Sequence, residues 1–487
     1  MLRVTLYGHA CVLFDSGNTK VLCDPHLFER FASDLYDIYP HRRIDLASVE
    51  KPDFIYLSHH HRDHFDLRSL ATIDRSTPVL FPDSEEIEYG LSKLGFKERI
   101  KFQDWEHRSV GDLSLVFTPS RERVPENGVL VITRDEIVWN MVDTVTDLEI
   151  VRRVDRLVEG RGIDLLLWPY QPLLETRVSE NLSMGFPARR FELALGTLQT
   201  IAPRHVVPYA DAQFAAGRGA WLNRYRFPVE FSEIHALVDQ CAPGSKVVTA
   251  GPSDRLRVDG REVTREAPAS YIEPLPESAQ QRSLDTTVGV PPIGEHVPAP
   301  LDAALASMDE TIATLSQAWT VLRREMRPVM TIASDWDVSY DLVLESDAAA
   351  TLVRFSPQGD GIETFDASDA ASLPDADGNR VVMRTRLGLM QRMIFGQLHY
   401  ISVVLAGLVR VWQRVVRVRD GVLQQLDFLD EQGNSSMSDH GQILDGKTFL
   451  NLLIAAASSE QKHRYIDSEL EQVIGSGAQQ EVASEAL

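Results

Sequence analysis

The chain has few cysteines, no long apolar run and no excess of positive charge. Cys11, Cys23 and Cys241 are the only cysteines among 487 residues, and none belongs to a CxxC pair. An odd count without that spacing excludes a disulfide framework and a zinc-finger or iron–sulfur site. The longest apolar stretch, Ile401 to Val409, is far below the roughly 20 residues a membrane span needs. The N-terminus alternates like a strand instead of reading basic-then-apolar, so the sequence predicts a cytoplasmic protein with no membrane span. Against 49 Lys and Arg stand 71 Asp and Glu, a formal charge of −22. That balance argues against nucleic acid as a partner. A chain of this length exceeds what one core organises, so more than one domain is expected.

Histidine is where the sequence concentrates. Four of its fourteen imidazoles fall within six positions, in Ser58-His59-His60-His61-Arg62-Asp63-His64, directly after the apolar run Ile55-Tyr56-Leu57. Imidazole and carboxylate are the donors of borderline and hard divalent ions, and a loop leaving a strand can aim several at one point. His59, His61, Asp63 and His64 are therefore candidate metal ligands.

The spacing His59-x-His61-x-Asp63-His64 resembles the signature of the metallo-β-lactamase superfamily. Tyr7-Gly8-His9-Ala10-Cys11 and Val21-Leu22-Cys23-Asp24-Pro25 resemble the branch of ascorbate-6-phosphate lactonase and the corresponding part of CMP-sialic-acid hydroxylase. The resemblance spans roughly residues 1 to 260. It implies an α/β fold, a four-layer αββα sandwich over 1–265, holding one or two divalent ions (zinc, manganese or iron). Within it Asp143, after the strand Ile137 to Val142, is expected to bridge two ions.

Two imidazoles of the family pattern are missing. Pro119-Ser120-Arg121-Glu122-Arg123 holds no histidine, and Arg121 or Arg123 stands where one is expected, available to pair an anionic substrate group. After Pro208 comes Tyr209, with Asp211 two residues on as a further candidate ligand. The Rieske ligand pairs of the sialic-acid hydroxylase are absent, so that activity does not transfer.

Beyond the first domain the sequence predicts an extended Pro- and Ser-rich linker over 266–300. An α+β domain over 301–475, similar to sterol-carrier domains, and a disordered tail over 476–487 follow. Leu301, Leu305, Met308, Ile312, Leu315, Trp319, Leu322 and Met326 predict one amphipathic helix over 301–326, a candidate contact for a homo-oligomer. Residues 387–418 read as apolar helix.

The leading functional expectation is a metal-dependent hydrolase of a small ester, lactone, amide or phosphoester, acting through a metal-bound hydroxide near Asp63. The alternatives are a non-haem iron oxygenase, mono- or di-iron, on the same fold, and a binding or scaffold protein with a decayed site. The expected partner is a small-molecule substrate, with anionic and lipid-like molecules among the candidates.

Overall fold

A computed structural model describes residues 1–121, 125–171, 175–182, 185–210, 213–226, 229, 231–276, 289–359, 361–367, 378–429, 441–458 and 463–473. Two sheets face each other in the N-terminal half. The first has eight strands, in the order Glu262–Arg265, Arg255–Asp259, Leu2–Gly8, Cys11–Asp15, Lys20–Cys23, Phe54–Tyr56, Val79–Phe81, Arg99–Lys101. The second has seven, His107–Val110, Leu113–Pro119, Asn127–Ile132, Ile137–Asn140, Leu165–Pro169, His205–Tyr209, Lys246–Val247.

Each sheet begins as an antiparallel meander and continues as four parallel strands. Parallel strands need crossovers, and crossover helices cover the outer faces. Phe65, Leu67, Leu70, Ile87 and Leu91 pack outside the first sheet. Ile150, Val154, Phe191, Leu198, Ile234 and Val238 do so outside the second. Between the sheets lie Val4, Phe14, Tyr56, Phe117, Val131 and Leu167. Four layers result, αββα, as the sequence predicted.

Local chemistry sets the ends of these elements. Ser84 caps helix Glu85–Leu94 by accepting from the Ile87 amide, and Gly95 ends it at φ +83°. Within it Gly90 has no room for a side chain, because a Cβ there would lie 2.6 Å from Phe65 Cζ. Gly90→Ala should therefore destabilise the fold by about 1–3 kcal/mol through overpacking, despite alanine's better helix propensity. Chemical denaturation checks this, and a stabilised variant would refute it.

The C-terminal half holds a five-stranded mixed sheet in the order Ile362–Asp366, Ala350–Phe355, Val338–Glu345, Asn379–Arg386, Arg410–Arg414, with only the third and fourth parallel. Trp319, Tyr340, Phe355 and Phe449 meet in its core, the rings of Tyr340 and Phe449 stacked at 4.1 Å. The predicted helix over 301–326 is corrected. Its main part is Met308–Glu325, begun by a Ser307/Glu310 capping box, and residues 303–307 are not helical. Pro328 lies in the first turn of the next helix, Arg327–Asp335. Leu315, Ala318, Trp319 and Leu322 are buried in this chain's own core, so they are not free to meet a second copy.

Residues 387–418 are likewise not one helix. Helices Leu387–Ile394 and Tyr400–Leu405 are each followed by a left-handed glycine, Gly396 and Gly407, before strand Arg410–Arg414. In the stretch read as linker, Ile272–Pro274 pairs with Arg42–Ile44. Residues 277–288 and the tail 476–487 lie outside the described residues.

The halves interlock. Phe31, Leu35, Tyr36 and Ile38 enter the C-terminal core, while Ile466 and Leu470 return to pack with Phe65, Leu67 and Ile87. Among the described residues no helix is long and apolar enough to cross a membrane.

Candidate metal centre

Parallel strands aim the loops at their carboxyl ends toward one rim, the usual position of ligand sites in such sheets. Asp24 follows Lys20–Cys23, the histidine run follows Phe54–Tyr56, and Asp143 follows Ile137–Asn140. Two groups of three donors form there, His9–Asp63–His64 and His59–His64–Asp143, each with its ligand atoms within 4.8 Å of one another. His64 Nε2 lies 3.3 Å from Asp143 Oδ2 and 3.6 Å from Asp63 Oδ2. His59 Nδ1 lies 4.0 Å from Asp143 Oδ1. The His61 ring meets the His59 ring edge-on, 4.4 Å between centroids.

Each donor is held from behind. Asp24, at φ +41°, accepts from the Ser58 amide at 2.7 Å and the Ser58 hydroxyl at 2.6 Å. It also accepts from His64 Nδ1 at 2.9 Å, which fixes the tautomer and turns Nε2 toward Asp63 and Asp143. Asp63 Oδ2 accepts from His9 Nε2 and from Gln213 Nε2, both at 3.0 Å. His9 itself is left-handed, φ +48°, a strained conformation of the kind that clusters at functional sites.

The electrostatics are those of a site built around positive charge. Burial alone would lower His64, but Asp143 and Asp63, with hydrogen bonds to Asp143 and Asp24, hold it well above the usual histidine value. Burial and then the charge of His64 push His59 well below that value. Burial would raise Asp63 and Asp143, yet the neighbouring imidazoles, His64 foremost, hold both below the ordinary carboxylate range.

Sequence reasoning missed Glu126. It is 6% exposed, with Oε1 3.8 Å from His59 Nδ1, and burial followed by the charge of Asp143 pushes it well above the usual value. It follows the very segment in which the family histidine is missing, and a carboxylate beside Pro125 gave no sequence signal of burial. His9, Asp24 and Gln213 were missed for a similar reason. Their roles depend on hydrogen bonds across strands far apart in sequence.

A divalent ion fits these residues. Among the described residues His59 Nε2, Asp63 Oδ1 and Asp143 Oδ1 are buried without hydrogen-bond partners. Buried polar atoms rarely stay so. Imidazoles and carboxylates together suit zinc, manganese or iron.

The other candidates do not join the cluster. Arg121 is a correction: its guanidinium donates to Asp147 and Glu149, both at 2.6 Å, and is nearly half exposed, so it is not held ready for a substrate anion. Arg123 and Asp211 lie outside the described residues. Neither His61 nor His60 is a member of either donor group, and burial lowers both, His60 to about 4.

Parts of the chain are similar to known proteins. Residues 3–143 match the family model described as a beta-lactamase superfamily domain. A metal-dependent hydrolase of Heliobacterium modesticaldum is 28% identical over 273 residues, 52% of this chain and 99% of that protein. A Rieske 2Fe-2S iron-sulfur protein of Mycolicibacterium smegmatis is 28% identical over 162 residues, 31% of each chain. The chain thus spans about a third of the length of the first curated relatives it matches. Among solved structures, a metallo-beta-lactamase fold protein from Bacillus subtilis aligns at 16% identity and a TM-score of 0.37, covering 52% of this chain and 99% of its own.

Proposed function

We propose that the chain is a metal-dependent hydrolase of a small ester, lactone, amide or phosphoester. Its ion or ions are held by His59, His61, Asp63, His64 and Asp143. The observation that carries this reading is the pair of three-donor groups that share His64, His9–Asp63–His64 and His59–His64–Asp143, together with buried atoms of His59, Asp63 and Asp143 that lack a hydrogen-bond partner. The similarity to a metal-dependent hydrolase along nearly its whole length supports it.

When bound, such an ion lowers the pKa of a water toward neutrality and polarises the bond to be broken. The chain's own residues do the holding. Asp24 keeps Nε2 of His64 toward Asp63 and Asp143, His9 and Gln213 fix one oxygen of Asp63, and the fold buries the cluster.

A second reading, an iron-dependent oxygenase, is favoured by Glu126. With it the cluster has three carboxylates, a hard donor set that suits iron or manganese better than zinc. Elemental analysis of protein expressed with iron and zinc both available, followed by assay under nitrogen, separates the two. Turnover of an ester or lactone with zinc or manganese in the absence of oxygen is expected for the hydrolase. Oxygen uptake that requires iron would replace it with the second reading.

Metal removal should also register in stability. An ion present at about 100 times its Kd stabilises the fold by about 2.7 kcal/mol, so a chelator should lower the Tm and added ion restore it. A Tm indifferent to both would count against a resident ion.

A further inference from the structure

Three side chains of the N-terminal half donate to the carbonyls that end one short C-terminal helix, Tyr400–Leu405. The Tyr36 hydroxyl donates to the Ser402 carbonyl at 2.7 Å, the Ser179 hydroxyl to that of Val404, and Arg226 Nη2 to that of Leu405 at 2.7 Å. Backbone amides that follow the helix already donate to two of these carbonyls, Ala406 to Ser402 at 3.1 Å and Gly407 to Val404 at 2.9 Å, so the side chains from the other half add a second donor there.

Arg226 has a second task. It is 1% exposed, its guanidinium lies over the Tyr36 ring at 5.0 Å, and Nη1 donates to the Gln213 carbonyl at 2.7 Å. The Gln213 side chain in turn donates to Asp63 Oδ2. Because His9 binds that same oxygen, Oδ1 is left buried and without a partner, on the carboxylate that lies beside His64. A run of hydrogen bonds therefore connects a helix end in the C-terminal half to a member of the metal cluster, and the planar fork of a guanidinium is what bridges its two carbonyls.

We propose that Arg226 is a positioning residue for the metal centre: the docked C-terminal half, through Arg226 and Gln213, fixes the orientation in which Asp63 offers Oδ1 to an ion. The proposal rests on the metal-site reading above. It gives the C-terminal half a role in metal affinity that needs no ligand of its own.

The test uses full-length protein stripped of metal and titrated with Zn(II) or Mn(II) against a chromophoric chelator. Asp63→Asn identifies the binding step that depends on this carboxylate. Gln213→Ala and Arg226→Lys should each weaken that step about 10–100-fold, the usual effect of removing a group that orients a ligand. Arg226→Lys keeps the charge but not the fork, and its Tm should stay within a few degrees of the parent. Since the two residues act in series, the double variant should bind no more weakly than Gln213→Ala alone.

A parent protein that binds neither ion overturns the metal-site reading itself. A parent that binds, with variants that bind equally well, lose affinity additively, or lose every binding step in parallel with Tm, overturns the relay.

Discussion

Asp143→Ala is expected to lower kcat/KM at least about 10³-fold on any ester, lactone or phosphoester the protein turns over, about 4 kcal/mol in transition-state stabilisation. The reason is position. Asp143 is the carboxylate that faces both His64, the residue the two donor groups share, at 3.3 Å, and His59, at 4.0 Å. Removing it takes a ligand from whichever ions bind and removes the strongest of the charges that raise the pKa of His64.

The fold should survive the change. The Asp143 side chain is 25% exposed, and the turn around it is tied elsewhere, by the Thr144 amide on the Met141 carbonyl and the Val142 amide on Asn140 Oδ1. Tm and metal content measured beside kinetics separate the possibilities. A variant that keeps a full metal complement and activity within about tenfold of the parent would remove Asp143 from the ligand set. Asp143→Asn, equal in shape and lacking the charge, should fall between the two.

Much of this site was legible because it is local in sequence. His59, His61, Asp63 and His64 lie on one short loop, and a loop after a buried strand has few ways to point. Asp143, remote from that loop, was legible only through the family resemblance, which points to the carboxylate after the apolar strand Ile137–Asn140. The four layers were expected from the family resemblance carried by the histidine run and the first two strands.

What could not be read are the groups whose partners are remote. Asp24 meets Ser58 and His64 across the parallel pairing of Lys20–Cys23 with Phe54–Tyr56. Gln213 reaches Asp63 across 150 positions. Glu126 carried no signal, because charge alone does not reveal burial. The helix errors have a different cause. A 3-and-4 spacing of apolar residues persists through Leu301 to Met326, but Ser307 offers its hydroxyl to the Glu310 amide and so starts the helix there. Apolar content likewise concealed the breaks at Gly396 and Gly407, where a positive φ ends each helix.

Arg42→Ala should be the most destabilising single change in the N-terminal half away from the ligands, about 4 kcal/mol. Arg42 is 1% exposed, and burial lowers its pKa to about 10, so it remains a cation at neutral pH. Its partners are three carbonyls: Nε donates to Tyr7 at 3.0 Å, Nη1 to Phe28 at 2.9 Å and Nη2 to His26 at 2.8 Å. A buried acceptor left without its donor costs about 1–3 kcal/mol, and the vacated volume adds to that. Gly8 shows how closely the site is fitted. It adopts φ +107°, and a Cβ there would come within 3.1 Å of Arg42 Cδ. The guanidinium thereby binds the end of the first strand to the 26–28 segment, directly beside His9, which holds Asp63. Lysine at position 42 keeps the charge but cannot span three carbonyls with one ammonium, so Arg42→Lys should lose roughly half as much stability. Denaturant unfolding of the three proteins measures both values. A loss under about 1 kcal/mol for Arg42→Ala would mean that water replaces the guanidinium, and that His9 is held in place by the backbone alone.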